Sequence, residues 1–156
     1  MTKEPLVSDY MREVGATIRS TDTFKTAVRL MIQHQTNGLV VTDKQGKVCG
    51  ILSSWDIIKY VVPDYLEEDR VLAKFESGEE FVDRTHKLAD EPISKFMTSN
   101  VRTIEKSASL MEAAATLAEF HIRQLPVVDE HGKLIGYLNR TDIKRAVGDI
   151  LNVASQ

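Results

Sequence analysis

The sequence predicts an α+β fold of two tandem β-α-β-β-α repeats, and three observations carry that prediction. First, shifting the chain by 86 residues aligns Val7–Val62 with Ile93–Gly148 without a gap, and 15 of the 56 aligned positions are identical. The identities include Ser8/Ser94, Met11/Met97, Thr17/Thr103, Asp43/Asp129, Gly46/Gly132, Gly50/Gly136 and Asp56/Asp142. Shared amphipathicity would match apolar positions but not glycines, aspartates and threonines in register, so the match is a duplication. Second, the stretch GILSSWD (Gly50 to Asp56) returns as GYLNRTD (Gly136 to Asp142). Third, both copies pass through strand-like and helix-like spacing in the same order.

Each element follows from its residues. A short extended piece, Ala16-Thr17-Ile18 or Arg102-Thr103-Ile104, opens the unit. Phe24, Ala27, Val28 and Met31 then fall at helical spacing, as do Leu110, Ala113, Ala114 and Leu117. Thr21 or Asp22 is placed to cap the first of these helices. The strand LVVTD or LPVVD follows, then a tight turn whose Gly46 or Gly132 suits a left-handed backbone position. A return strand, KVCGILS or KLIGYLN, runs antiparallel into a second helix, which begins at SWDIIKYVV or RTDIKRAVGDIL.

One such unit is marginal alone, because small chains bury too little surface on folding, so the two copies are expected to pack together. The domain reading is a first repeat over 1–62, a connector over 63–92 and a second repeat over 93–156. The connector holds ten Asp/Glu against four Lys/Arg, with Leu66, Val71, Leu72, Phe75 and Phe81 as apolar content. It reads as a helical linker with a solvated acidic face, a partner-docking face being the alternative.

Composition narrows the function classes. A formal charge of −3 over 156 residues gives no general attraction to nucleic acid or anionic membrane. Apolar runs are too short for a membrane span, and the lone Cys49 fits a reducing compartment, so the expectation is a cytoplasmic protein with neither a nucleic-acid nor a membrane partner. His34, His86, His121 and His131 form no ligand-spaced cluster, and no phosphate loop or nucleophile elbow occurs, so no metal, catalytic cofactor or catalytic residue is assigned. Cys49 and Trp55 are read as packing residues.

Paired β-α-β-β-α units, each ending in a glycine, two apolar residues, a small polar residue and an aspartate three further on, resemble the cystathionine β-synthase (CBS) domain family. The resemblance runs from about Val7 to Ile150. It implies a Bateman module, in which two copies are related by a pseudo-two-fold axis. Clefts between the copies would bind adenosine-containing ligands such as AMP, ADP, ATP or S-adenosylmethionine. It implies regulation of an enzyme, channel or transporter partner, and pairing of modules into a homodimer.

The residues suit that chemistry. A ribose presents two neighbouring hydroxyl donors, and a carboxylate presents two acceptor oxygens at matching separation, which Asp56 and Asp142 supply. Each sits in the first turn of a helix, where the dipole favours the ionised form. Gly50 and Gly136 lie within strands and admit close approach of a backbone or a ligand. Read singly, Ser53-x-x-Asp56 and Asn139-x-x-Asp142 are also ordinary helix starts, and the two roles are compatible.

By resemblance, adenine recognition falls to Ala16, Thr17, Ile18, Thr36 and Asn37 in the first copy. In the second it falls to Arg102, Thr103, Ile104, Ile122 and Arg123. Arg123 matches a phosphate-contact position, with Arg140 and Lys144 as further cations and His121 beside them; Ser53, Asn139 and Thr141 complete the motif residues. Three departures from the family pattern stand out: Asn139 for Thr or Ser, Val40 for the strand proline, and bulky Trp55 before Asp56. They make the two clefts chemically unequal, with closure of one an open alternative. The function so read is a stand-alone sensor of adenosine nucleotides without catalysis. A ligand-free dimerisation or docking module is the alternative, and an unrecognised hydrolase or transferase a distant third.

Overall fold

The computed structural model describes residues 3–65, 70–75, 78–120 and 122–153. Its elements run α1 (Val7–Tyr10), β1 (Thr17–Arg19), α2 (Phe24–Gln33), β2 (Gly38–Thr42), β3 (Val48–Ser53), α3 (Ser54–Val61), α4 (Arg70–Ala73) and α5 (Gly78–Leu88). A 3-10 turn (Ile93–Lys95) leads into β4 (Ile104–Glu105), α6 (Leu110–Glu119), β5 (Gln124–Val128), β6 (Leu134–Asn139) and α7 (Arg140–Ile150). Two three-stranded sheets result, ordered β1-β2-β3 and β4-β5-β6. The first strand of each runs parallel to the second, Thr17 facing Val40 and Ile104 facing Val127. β5 and β6 are antiparallel, with a register shift at Val127/Val128. The duplicated order predicted from the sequence is therefore the observed one.

The chain divides into two compact units that do not coincide with the repeats. One comprises 1–15, 44–48 and 101–156, and the other 16–43 and 49–100. The leading segment of each repeat, 1–15 or 93–100, thus belongs to the unit built on the other repeat. In the second unit the backbones of Thr98 and Ile51 exchange hydrogen bonds of 2.8 and 2.9 Å. In the first, Arg12 and Tyr137 do the same at 2.9 and 3.0 Å. These pairs are equivalent under the 86-residue shift, so the exchange is itself duplicated.

Each unit closes on its own core. Ile18, Phe24, Ala27, Leu39, Val41, Leu52, Ile93 and Phe96 form one, with Phe96 meeting Phe24 at 5.1 Å and Tyr60 edge-on at 4.6 Å between ring centroids. Val7, Ile104, Ala113, Leu125, Val127, Leu138 and Ala146 form the other. Each fully buried leucine or isoleucine contributes about 1.5–3 kcal/mol relative to exposure. Val7 and Ile93 occupy equivalent places and are both fully buried, which anchors the two leading segments.

The cap of α2 is Thr23, one residue beyond the predicted pair. Its Oγ1 accepts the Thr26 N–H at 3.2 Å, whereas the Asp22 carboxylate is spent on the Arg19 N–H at 2.9 Å. Gly46 and Gly132 take φ of 78° and 79°, the left-handed turn positions predicted for them. The connector residues described are helical over α4 and α5, and Phe81 is exposed. Arg84 of α5 donates to the carbonyls of Val61 (2.9 Å) and Tyr60 (3.1 Å), satisfying orphan acceptors at the end of α3. Leu66 and His121 lie outside the described residues.

Candidate ligand site

In the first repeat the structure draws two of the predicted segments together. The strand β3 delivers Ser53 to the start of α3, where its extended backbone forms a capping box with Asp56. Asp56 Oδ2 accepts the Ser53 N–H at 2.7 Å and the Ser53 hydroxyl at 3.1 Å, while the Asp56 N–H donates to Ser53 Oγ at 3.4 Å. Oδ1 of Asp56 takes no hydrogen bond among the described residues, and the side chain is half-buried. Ser54 then clasps Asn37: its N–H donates to the Asn37 carbonyl at 2.9 Å and its hydroxyl to Asn37 Oδ1 at 3.2 Å. Thr36 bonds across the same bend, donating to the Gly38 carbonyl at 3.0 Å and accepting the Gly38 N–H at 3.3 Å. Hydroxyl, amide and carboxylate groups thus share one polar edge beside β2.

The second repeat reproduces the backbone but not the chemistry. Asn139 takes the place of Ser53 and forms the same box, Asp142 Oδ2 accepting the Asn139 N–H at 2.9 Å and the Asp142 N–H donating to Asn139 Oδ1 at 3.1 Å. Asp142, however, is 0% exposed, and its Oδ1 accepts Arg12 Nε at 2.7 Å. Arg145 NH2 stands 3.7 Å from the same oxygen. The carboxylate raises the Arg12 pKa above its ordinary value, chiefly through this hydrogen bond and then through charge. Gln124 and Asn139 are register partners, which sets Arg123 and Arg140 at adjoining ends of β5 and β6. Both arginines are exposed, as are Thr103, Thr141 and Lys144.

Several side chains expected at the site are committed elsewhere. Ile18 and Ile104 are buried in the two cores, so only their backbones remain for a ligand. Their neighbours Thr17 and Thr103 are exposed, and Ala16 and Ile122 are half-buried. The Arg102 guanidinium lies 4.0 Å from the centroid of the Phe120 ring, a cation–π contact. Trp55 does not pack: it is 64% exposed, because α3 turns Ile57 and Val61 inward and leaves Trp55 and Ile58 on its outer face. Cys49 packs against the core as expected, and burial, then the Asp43 charge, push its thiol pKa up.

Residue-type reasoning did not select Arg12, Arg145, Ser54 or Phe120. For Arg12 a signal existed, since its equivalent at the 86-residue offset is Thr98, a cation replacing a hydroxyl directly after the shared Met11/Met97. The strand glycines admit close backbone approach. A Cβ on Gly136 would sit 2.5 Å from the Arg12 carbonyl oxygen, and one on Gly50 would meet Met97 Sδ at 2.5 Å and the Thr98 carbonyl at 3.2 Å.

The family profile described as CBS domain matches residues 7–63 and 93–149. The crystal structure of CBSX2 in complex with AMP superimposes with a TM-score of 0.72 at 27% identity, covering 94% of this chain and 98% of that one; CBSX2 is from Arabidopsis thaliana. The CBS domain pair of protein MJ0100, in complex with 5-methylthioadenosine and S-adenosyl-L-methionine, gives 0.70 at 25% identity, covering 95% and 99%. A homoserine O-acetyltransferase of Methanocorpusculum labreanum is 31% identical over 132 residues, 85% of this chain but 22% of that protein. The chain spans about a quarter of the first curated relatives that it matches. No helix among the described residues is long and apolar enough to cross a membrane.

Proposed function

This chain belongs to the CBS domain family, and on that premise we propose that it is a regulatory module that binds an adenosine-containing nucleotide and signals occupancy to a partner. The observation that carries the reading is the polar edge of the first repeat. There Asp56 keeps one carboxylate oxygen without a partner among the described residues, at a helix start, and the Ser54–Asn37 clasp holds the adjoining segment in place. A ribose diol fits that carboxylate, one hydroxyl on the open Oδ1 and the other sharing Oδ2. Each charge-assisted bond is worth about 1.5–3 kcal/mol where water is excluded, and micromolar affinity needs about 8 kcal/mol in all. The AMP held by CBSX2 and the methylthioadenosine and S-adenosylmethionine held by MJ0100 support the ligand class. AMP, ADP, ATP and S-adenosylmethionine are the candidates. Occupancy signals by favouring one conformation over another, to the extent that the ligand binds the two unequally.

Thermal unfolding with each candidate at millimolar concentration tests this. Ligand at a hundred times its Kd stabilises by about 2.7 kcal/mol, so at least one candidate raises the midpoint. Asp56→Ala weakens the effective ligand about tenfold, equal to about 1.4 kcal/mol. The rival, a ligand-free dimerisation or docking module, draws on the exposed apolar side chains of Trp55 and Ile58 on α3 and of Val147 and Ile150 on α7. A robust dimer by sedimentation with no midpoint shift for any candidate would favour it. A dimer together with a shift fits a homodimeric sensor.

A further inference from the structure

We infer that Arg12 is a built-in plug that closes the ribose position of the second repeat, so that the chain binds one adenosine ligand, on Asp56, and none on Asp142. The inference rests on the ligand-binding reading above and adds to it the stoichiometry and the residue that sets it.

The two repeats present the same aspartate in the same capping box, so any difference in availability must come from what surrounds it. A ribose diol needs acceptor capacity on the carboxylate. At Asp56 the motif's own Ser53 occupies Oδ2 and leaves Oδ1 without a partner among the described residues. At Asp142 the motif's Asn139 occupies Oδ2 in the same way, but Oδ1 is taken by Arg12 Nε at 2.7 Å, and the residue is fully buried. A sugar hydroxyl would have to displace a bond in which donor and acceptor are both charged, and would leave the buried carboxylate without its counter-charge.

The plug is a side-chain difference on a conserved backbone frame. Arg12 is held by paired backbone hydrogen bonds with Tyr137, and its carbonyl packs over Gly136. Thr98 is held identically by Ile51, and its carbonyl packs over Gly50. Threonine at that position carries no cation, and among the described residues no hydrogen bond joins Thr98 to Asp56, whose carboxylate is met only by Ser53. A further contact steadies the segment that carries Arg12: Arg145 NH2 donates to the Tyr10 carbonyl at 2.9 Å. Installing the threonine of the first frame in the second should therefore open the second position.

Equilibrium dialysis of the full chain with radiolabelled AMP, and in parallel with S-adenosylmethionine, measures stoichiometry. The expected results are one equivalent per chain for the wild type, at least tenfold weaker binding for Asp56→Asn, and unchanged binding for Asp142→Asn. Arg12→Thr should take up a second equivalent, and Arg12→Thr combined with Asp56→Asn should regain one. Circular dichroism melts of each variant establish that it is folded at the dialysis temperature; should Arg12→Thr fail this, Arg12→Ser serves in its place. Two equivalents in the wild type, or a loss on Asp142→Asn with none on Asp56→Asn, would overturn the plug while leaving the ligand-binding reading intact. No uptake of either probe by any variant would overturn both.

Discussion

Arg12 and Asp142 are 130 residues apart in sequence, yet the guanidinium Nε lies 2.7 Å from the carboxylate, which is wholly shielded from water. The arginine itself is 41% exposed, so the pair is half sunk. Breaking a fully buried pair costs about 3–5 kcal/mol because a charge is stranded, whereas exposed pairs contribute about 0–1 kcal/mol. Arg12→Ala is expected between those limits, at about 1–3 kcal/mol, since Arg145 remains 3.7 Å from Asp142 to offset part of the loss. Urea midpoints at constant slope measure it, and an unchanged midpoint would show that the contact contributes nothing.

The strand glycines make a matched pair of probes. At Gly136 an added methyl meets the Arg12 carbonyl at 2.5 Å, and backbone cannot swing aside. At Gly50 the same methyl meets Met97 Sδ, the end of a flexible side chain, with the Thr98 carbonyl more distant at 3.2 Å. Gly136→Ala is therefore expected to destabilise by about 1–3 kcal/mol and Gly50→Ala by less, about 1 kcal/mol. The order of the two thermal midpoints decides the point; a reversed order would mean that the leading segment over Gly136 yields more readily than the methionine.

How far the sequence reached follows from distance along the chain. Capping boxes link residue i to i+3, so Ser53/Asp56 and Asn139/Asp142 were legible from their letters alone. The positive-φ turns at Gly46 and Gly132 were legible for the same reason. The duplication also exposed the order of strands and helices, because apolar spacing recurs with it. What pairs with Asp142 was not legible, since nothing local in Arg12 announces a partner 130 residues on. Trp55 misled because a large aromatic is normally buried, and here α3 fills its inner face with Ile57 and Val61 instead. Ile18 and Ile104 belonged to the expected ligand set by position, yet their alternation with exposed Thr17 and Thr103 already pointed them toward the core.

Acid should act on the second hairpin. Asp129 Oδ1 accepts the backbone N–H groups of Lys133 and His131, each at 2.9 Å. The Lys133 hydrogen bond, foremost, holds the carboxyl below its ordinary value of 3.8, against a smaller opposing effect of desolvation. A depressed folded value means that the contribution is complete above the unfolded pKa and disappears as pH falls through the folded one. Stability should thus decline below about pH 4. Asp129→Asn removes this carboxyl, so its stability should fall less steeply than the wild type over the same acid range. Urea titrations from pH 5 down to pH 2 provide the check, and parallel curves would count against it.

Cys49 offers a readout of how tightly β3 is held. The thiol packs against the core of its unit, and desolvation, followed by the negative charge of Asp43, raises its pKa above the ordinary 9.0. Only the thiolate attacks alkylating reagents, so a raised pKa and restricted access both slow reaction. At pH 8 iodoacetamide should label Cys49 several-fold more slowly than a free small thiol, and urea at unfolding concentrations should abolish the difference. Gly50 is the next residue, and a methyl there presses on Met97, which packs against the same core. Gly50→Ala should therefore speed labelling if the strand shifts to relieve the contact, and leave the rate unchanged if the methionine moves instead. Because the single cysteine makes the assay residue-specific, that comparison separates backbone movement from side-chain movement at this strand.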